Sequence, residues 1–281
     1  MMGTNVSGNT CDRSTLTATR LWISAGLDAV SRDAFEQACI DIRTVRRGND
    51  LVRPDTHSDA LHILINGWAA RYKILEQGAR FISALAVPGD ICNLDALRFD
   101  RCDQGVTMIT AGTVAVLPRQ RANALFTSHP PIAAALCSLG LVESSILMER
   151  AASIGRRAAT HRVAHLLCEL LLRLTAVGKA EGLSYDLPLT QELIADALGL
   201  TAVHVNRTIR SLRSRDLVTV QNWRVTIHDW AGLSTLSSFD PGYLHLQTID
   251  EKYAHELPTV SERGRKRSQH QALCEVGSFC G

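Results

Sequence analysis

Nothing in this chain of 281 residues reads as a segment bound for or through a membrane. Met1–Thr19 is polar and rich in Ser, Thr and Asn, without the apolar run of a secretory signal, and no run of about 18 successive apolar residues occurs. A cytoplasmic protein with no membrane partner is expected. The eight cysteines, at 11, 39, 92, 102, 137, 168, 274 and 280, contain no C-x-x-C pair and no spacing with histidine that suits a metal. Cys39, Cys137 and Cys168 fall in apolar helical contexts and are expected to be buried thiols. Cys92 and Cys102, both beside predicted turns, are the one pair in which a redox switch is considered. An H-x-H pair is also missing. His57 and His62 stand five apart and no third ligand is suggested, so a cupin-type metal enzyme lacks its ligand set and no metal site is expected. No acid/base pair and no nucleophile with its base stands out, which argues against an enzyme. A large excess of one charge is absent as well: the net charge is +2, so cationic character is local rather than general.

The length and a hydrophobic content of 46% are sufficient for two packed cores, hence two domains. Leu27–Cys39 reads as a short helix. From Ile40 to Pro118 the runs Ile40–Val45, Leu61–Ile65, Trp68–Leu75, Phe81–Val87, Val106–Thr110 and Thr113–Leu117 are short, apolar or alternating. Gly48, Gly67, Gly78, Gly89, Gly105 and Gly112 cut them, as in a closed barrel or jelly roll. After Pro130 and Pro131 the period becomes helical. Ile132, Leu136, Leu139, Val142, Ile146 and Leu147 form a stripe that can cover the barrel on one side and a second copy of the helix on the other, giving a parallel dimer. Packing on its own barrel alone is the alternative. Gly155, Arg156 and Arg157 mark a hinge before a second apolar helix, Ala158–Ala176.

Residues 190–212 carry the functional signal. Ile194, Ala195 and Leu198 give a first helix one apolar face, and Val205, Ile209 and Leu212 give a second helix a matching one. Gly199 between them can take the positive φ of a tight turn. Thr190 and Thr201 are expected as N-caps. Between Thr201 and Arg215 stand Arg207, Arg210, Arg213 and Arg215 and no acidic residue, so the outer face of the second helix suits a phosphate backbone. Leu217–Val220 and Val225–Ile227, around a polar turn, read as a wing whose Arg224 is placed at the tip to touch the backbone. A hairpin that only closes the small domain's core is the alternative.

The order of these parts resembles the CRP/FNR family of bacterial transcription regulators over roughly residues 25–250. The likeness is densest at Arg46-Arg-Gly48, Leu61–Trp68, Pro88-Gly-Asp90, Arg162–Glu169 and Leu187–Glu192, and Leu200–Thr208 and Phe239–His245 look like the proteobacterial branch. The expected fold is therefore α+β. It comprises a polar, disordered stretch at 1–20, a cyclic-nucleotide-binding-like β-roll at 21–130 and a connecting, dimerising helix at 131–155. A winged helix-turn-helix at 156–230 and an extension at 231–281, largely disordered after about 251, complete it. The resemblance implies a homodimer on a palindromic duplex operator, with RNA polymerase as a further partner. Base reading would fall to Ala202, Val203 and Arg207, and phosphate contact to Thr201, His204 and Arg210. Thr190, Gln191, Asn206 and Arg224 complete the candidate set. Many members carry an Arg-Glu pair where this chain has Ala202-Val203, which removes direct hydrogen-bonded readout there and implies a different operator.

The signal sensed by the roll is less legible. Family members that bind cyclic nucleotides hold the phosphate with a Gly-Glu and an Arg-Ser pair. Here those positions read Asn93-Leu94 and about Cys102-Asp103, with no positive charge or helix N-terminus expected at the site, so cyclic AMP is not supported. Only Cys11 stands where iron–sulfur members cluster cysteines, and His57 and His62 are expected in surface or structural roles rather than as haem ligands. No cofactor is expected, and a constitutive DNA-binding dimer with a ligand-free roll is the principal alternative. Arg263, Arg265, Lys266 and Arg267 give the tail a basic cluster.

Overall fold

The structure, a computed structural model, describes residues 27–246. The expectations about the first 20 residues, the tail with its basic cluster, and Cys11, Cys274 and Cys280 lie outside the described residues. Among the described residues two compact units emerge, 27–73 with 85–139, and 74–84 with 140–246.

In the first unit, helix α1 (Ala29–Ala38) is capped by Asp28, whose carboxylate accepts from the Ser31 amide at 2.8 Å, and buries Phe35. The alternating runs become antiparallel strands within a residue or two of their expected bounds. β1 (Asp41–Val45), β7 (Gly112–Pro118) and β3 (Ala60–Asn66) form one sheet in the order β1-β7-β3. β2 (Asp50–Val52), β6 (Gly105–Met108), β4 (Ala69–Ile74) and β5 (Arg80–Ala86) form the other, in the order β2-β6-β4-β5. Phe35, Leu61, Ile63, Leu64, Met108, Val114 and Leu117 fill one core. Gly112 must be glycine, because a Cβ there would collide with the Asn66 carbonyl across the sheet. Sequence reading missed helix α2 (Arg119–Ser128), whose first residue ties it down: Arg119 donates to Asp100 Oδ1 at 2.6 Å and to the Phe99 carbonyl at 2.8 Å.

Helix α3 (Pro130–Arg156) runs through Gly155, so the break falls one or two residues later than expected, before Ala158 in extended conformation. Ile132, Leu136, Leu139, Val142 and Ile146 of the expected stripe are all buried, and Ile132, Leu136 and Leu139 join the roll's core. Leu147 is exposed and does not belong to it. By length and mean hydropathy α3 is long and apolar enough to cross a membrane. Ile132, Leu136, Leu139, Val142 and Ile146 are taken up by protein cores, and Arg150 is buried in an ion pair with Glu169.

In the second unit, α4 (Ala159–Thr175) is buried along most of its length, with Val163, Leu166, Leu167, Leu170, Leu171 and Leu174 at 2% exposure or less. Against it pack α5 (Gln191–Leu198), α6 (Ala202–Ser214), a four-stranded sheet and α7 (Trp230–Ser237). The sheet order is β10-β11-β9-β8, from β8 (Ala180–Glu181), β9 (Ser184–Asp186), β10 (Val218–Gln221) and β11 (Arg224–Ile227). The wing is thus half of a larger sheet. Its Val218, Val225 and Ile227 are buried, so the hairpin does close the domain's core.

Candidate nucleic-acid interface

Helices α5 and α6 form as the residue pattern dictates. Thr190 Oγ1 accepts from the Leu193 amide, and Thr201 Oγ1 from the His204 amide, both at 3.3 Å, so each threonine satisfies an otherwise unpaired helix donor. Between them Gly199 is left-handed at φ 61° and ψ 44° and closes α5 as a glycine C-cap. Ile194, Ala195 and Leu198 on α5, and Val205 and Leu212 on α6, are buried. That burial fixes which side of α6 is left for solvent. Thr201, Val203, His204, Arg207, Arg210, Arg213 and Arg215 are exposed, and Ala202 and Asn206 are half-buried.

Six of the ten candidate residues meet at one open concavity of about 440 Å³: Gln191 at the start of α5, and Ala202, Val203, Asn206, Arg207 and Arg210 on successive turns of α6. Its lining combines two apolar residues, two amides and two arginines. Val203 is 67% exposed and lines this concavity. Thr190, Thr201 and His204 lie beside the concavity as caps or first-turn residues, and Thr201 Oγ1 is also 3.2 Å from His204 Nδ1.

Arg224 does not take the place expected of it. It pairs with Gln221 across the hairpin, one residue from the tip, and its guanidinium forms salt bridges with Glu181 and Asp186. The tip itself is Asn222-Trp223. Residue counting put the arginine at the end of the wing; β8 and β9, too short to show a period, bring two carboxylates beside it.

A buried ionic cluster that sequence reading missed holds this helix pair to the end of α3. Glu169 Oε1 accepts from Arg150 at 3.0 Å and from Arg173 at 3.1 Å, while Tyr243 donates to Oε2 at 3.1 Å. Burial alone would raise the Glu169 carboxyl, but Arg150 and Arg173 outweigh it and hold the group below its ordinary value. Beside it His165 stacks on Tyr243 and meets Phe239 edge-on, with ring centroids 5.8 and 5.0 Å apart. Burial, reinforced by Arg157, depresses its pKa to about 4. Arg162 completes the link by donating to the Leu198 and Gly199 carbonyls at 3.1 and 3.4 Å, which are among the unpaired acceptors at the end of α5. A Cβ on Gly199 would sit 3.4 Å from Ile154 of α3. The motif Phe239–His245 was visible in the sequence; its role as a strap over this cluster was not.

Two expectations about the roll need correction. A positive charge and a helical turn do stand at the segment compared with the phosphate site. Leu94–Leu97 forms one 3-10 turn, and Arg71 donates through Nε and Nη2 to the Cys92 carbonyl at 3.2 and 2.8 Å. Both groups are engaged with protein, as is buried Asn93, which accepts from the His62 amide at 2.8 Å and donates to the Ala60 carbonyl at 2.9 Å. Lys73 lies 3.8 Å from Asp103. Cys137, secondly, is exposed rather than buried, because it lies on the side of α3 away from the Ile132–Leu136–Leu139 face. Cys92 and Cys102 are both buried thiols, and burial pushes Cys102 above the ordinary thiol value, opposite to the low-pKa exposed thiol a redox sensor needs. Cys168 is pushed up to about 12 by burial. His57 is exposed, whereas buried His62 has its pKa depressed to about 4 by burial and by Arg43.

Residues 161–236 match the family described as Crp-like helix-turn-helix domain, and residues 42–129 the cyclic nucleotide-binding domain. The transcriptional activatory protein AadR of Rhodopseudomonas palustris is 29% identical over 203 residues, covering 71% of this chain and 82% of AadR. The nitrogen fixation regulation protein FixK of Azorhizobium caulinodans is 26% identical over 196 residues, 68% of this chain and 77% of FixK. Among solved structures, FixK2 from Bradyrhizobium japonicum superposes with a TM-score of 0.65 at 22% identity, covering 70% of this chain and 96% of that one. The cyclic nucleotide-binding and Crp-like helix-turn-helix models, matched in this order, together span more than half of the chain, which belongs to the CRP/FNR family of DNA-binding transcription regulators.

Proposed function

We propose that the protein works as a homodimer whose two α6 helices enter successive major grooves of a palindromic operator. The observation that carries this reading is the concavity on α5 and α6, where apolar and cationic residues converge on a solvent-facing surface. Arg207 would bind a guanine O6/N7 edge bidentately, Ala202 and Val203 would pack on a thymine methyl, and Asn206 is placed to meet a neighbouring base edge. Thr190, Gln191, Thr201, His204 and Arg210 would hold phosphates. Arg224, one residue from the wing tip, would exchange its exposed ion pairs with Glu181 and Asp186 for a phosphate of the backbone. The place of action would be the cytoplasm, beside the chromosome.

The second copy has a face to meet. Ala134, Cys137, Leu141, Ser144, Met148, Ala151 and Gly155 recur along α3 at alternating intervals of three and four residues, carry no charge and are all exposed. That is the spacing of a two-stranded helical seam. The stripe expected to serve both barrel and partner is consumed by the protein's own cores; this separate one remains.

Selection of bound duplexes from a random pool tests the proposal. Two inverted half-sites, about one helical turn apart centre to centre, are the expected outcome. No enrichment at low salt, or enrichment of a single asymmetric site, would overturn it. Arg207→Ala should cost roughly 1–3 kcal/mol of operator affinity and relax preference at one base pair per half-site. Constitutive binding is supported by the phosphate-site segment, where Arg71 and buried Asn93 are engaged with protein groups. On that reading the purified dimer binds its site without effector, and binding that appears only with an added metabolite or altered oxygen would exclude it.

A further inference from the structure

Trp223 is 56% exposed, while Trp68 and Trp230 are buried. It sits at the end of the β10–β11 hairpin in a two-residue turn, with Gln221 and Arg224 paired across its base. Asn222 and Trp223 are both left-handed, at φ 52° and 60°. This is the turn that matches the twist of a hairpin, and it favours asparagine, aspartate and glycine. A bulky aromatic there is a conformational outlier, and such outliers persist where the surrounding structure holds them and a function retains them.

The surrounding structure does hold it. The Trp223 carbonyl accepts from the Leu187 amide at 2.6 Å, and Leu187 lies three residues before the cap Thr190 and four before Gln191. The tip is therefore tied to the segment that leads into α5, the helix whose first residue, Gln191, lines the concavity. Arg224, the next residue in the chain, makes exposed ion pairs with Glu181 and Asp186. What Trp223 itself offers is an uncharged amphipathic ring with one N–H donor.

We propose that Trp223 is a DNA-contacting residue that sets affinity through an apolar contact. The indole face packs on deoxyribose at the minor-groove edge flanking each half-site, and Nε1–H points to a phosphate oxygen. The inference rests on the operator-binding reading of α6. Its location beside α5, rather than on a face remote from α6, favours duplex DNA over a protein partner.

An apolar contact displaces no counterions, so it should add affinity without steepening the salt dependence. Operator titrations of the full chain at several salt concentrations test this. Trp223→Ala should weaken binding about tenfold, in the range seen for aromatic contacts with nucleic acid. The slope against salt and the base preference should stay unchanged, and Trp223→Phe should keep part of the loss from appearing. Trp223→Gly, which suits the left-handed turn, should bind about as weakly as the alanine variant without lowering the thermal midpoint, separating lost contact from lost fold. Acrylamide should quench the Trp223 contribution to emission less in the complex than in the free protein. Trp223→Ala binding as tightly as wild type overturns the assignment, and unchanged binding with reduced transcription would assign the ring to a protein partner instead. If wild type itself ignores duplex DNA, the reading of α6 fails and this inference with it; if wild type binds and only the Trp223 variants are silent, the failure is confined to the wing.

Discussion

Glu169 shows how much a single side chain can carry when it is placed out of water. Its carboxylate, 2% exposed, accepts from Arg150, Arg173 and Tyr243 and so ties α3, α4 and the Phe239–His245 strap together. Removing one partner of such a cluster leaves buried charge uncompensated. Glu169→Ala should therefore cost about 3–5 kcal/mol in denaturant unfolding, whereas Tyr243→Phe, which removes one charged hydrogen bond, should cost about 1.5–3 kcal/mol. Equal losses would show that the tyrosine is required for the cluster to assemble at all. None of this was legible in the chain, where Glu169 reads as one polar residue in an apolar helix. The caps at Thr190 and Thr201 and the turn at Gly199 were legible, because each depends on neighbours within three or four residues.

At the scale of elements, α3 carries two stripes where periodicity suggested one. Ile132, Leu136, Leu139, Val142 and Ile146 face inward; Ala134, Cys137, Leu141, Ser144, Met148, Ala151 and Gly155 face out, with Leu141 and Met148 exposed by 66% and 69%. A uniformly apolar helix does not reveal from sequence which side its own core will claim. Two consequences can be measured. Leu141→Asp should convert a dimer to monomer in sedimentation and weaken operator binding, leaving the folded monomer intact, since Leu141 makes no part of the core. Mild oxidation should join two chains through Cys137, which a parallel seam sets opposite its twin, and Cys137→Ser should abolish the cross-link without abolishing the dimer. A monomer before any substitution would remove the seam. The wing illustrates the reverse case: β10 and β11 were legible as alternating runs, but β8 and β9, two and three residues long, were not, and they are what neutralises Arg224.

For the molecule as a whole, two buried histidines set an acid limit on stability, one in each compact unit. His62 and His165 are both held near pKa 4, against an ordinary value of 6.5, chiefly by burial. Between those values the unfolded chain binds more protons than the folded one, so stability is complete above about pH 6.5 and is lost as the pH falls through about 4. At His62 the contribution is on the order of 3 kcal/mol. Urea midpoints measured from pH 7 to pH 4 should fall steadily, and His62→Gln should flatten the fall for the first unit. A midpoint independent of pH across that window would show that neither imidazole is kept neutral by its surroundings.

Local chemistry alone determined the strands of the roll, the long helix, the caps and turn of the helix-turn-helix, and the row of arginines that marks its outer face. These rest on periodicity and on bonds between near neighbours, and near neighbours in a chain are near neighbours in space. Only tertiary structure decided that Arg224 is spent on Glu181 and Asp186, that Trp223 rather than an arginine ends the wing, that Glu169 gathers three donors, and that one side of α3 is left open. The bonds of Glu169 with Arg150 and Tyr243, and of Arg224 with Glu181 and Asp186, join residues from about twenty to more than seventy positions apart, and burial is settled only when the whole chain has packed.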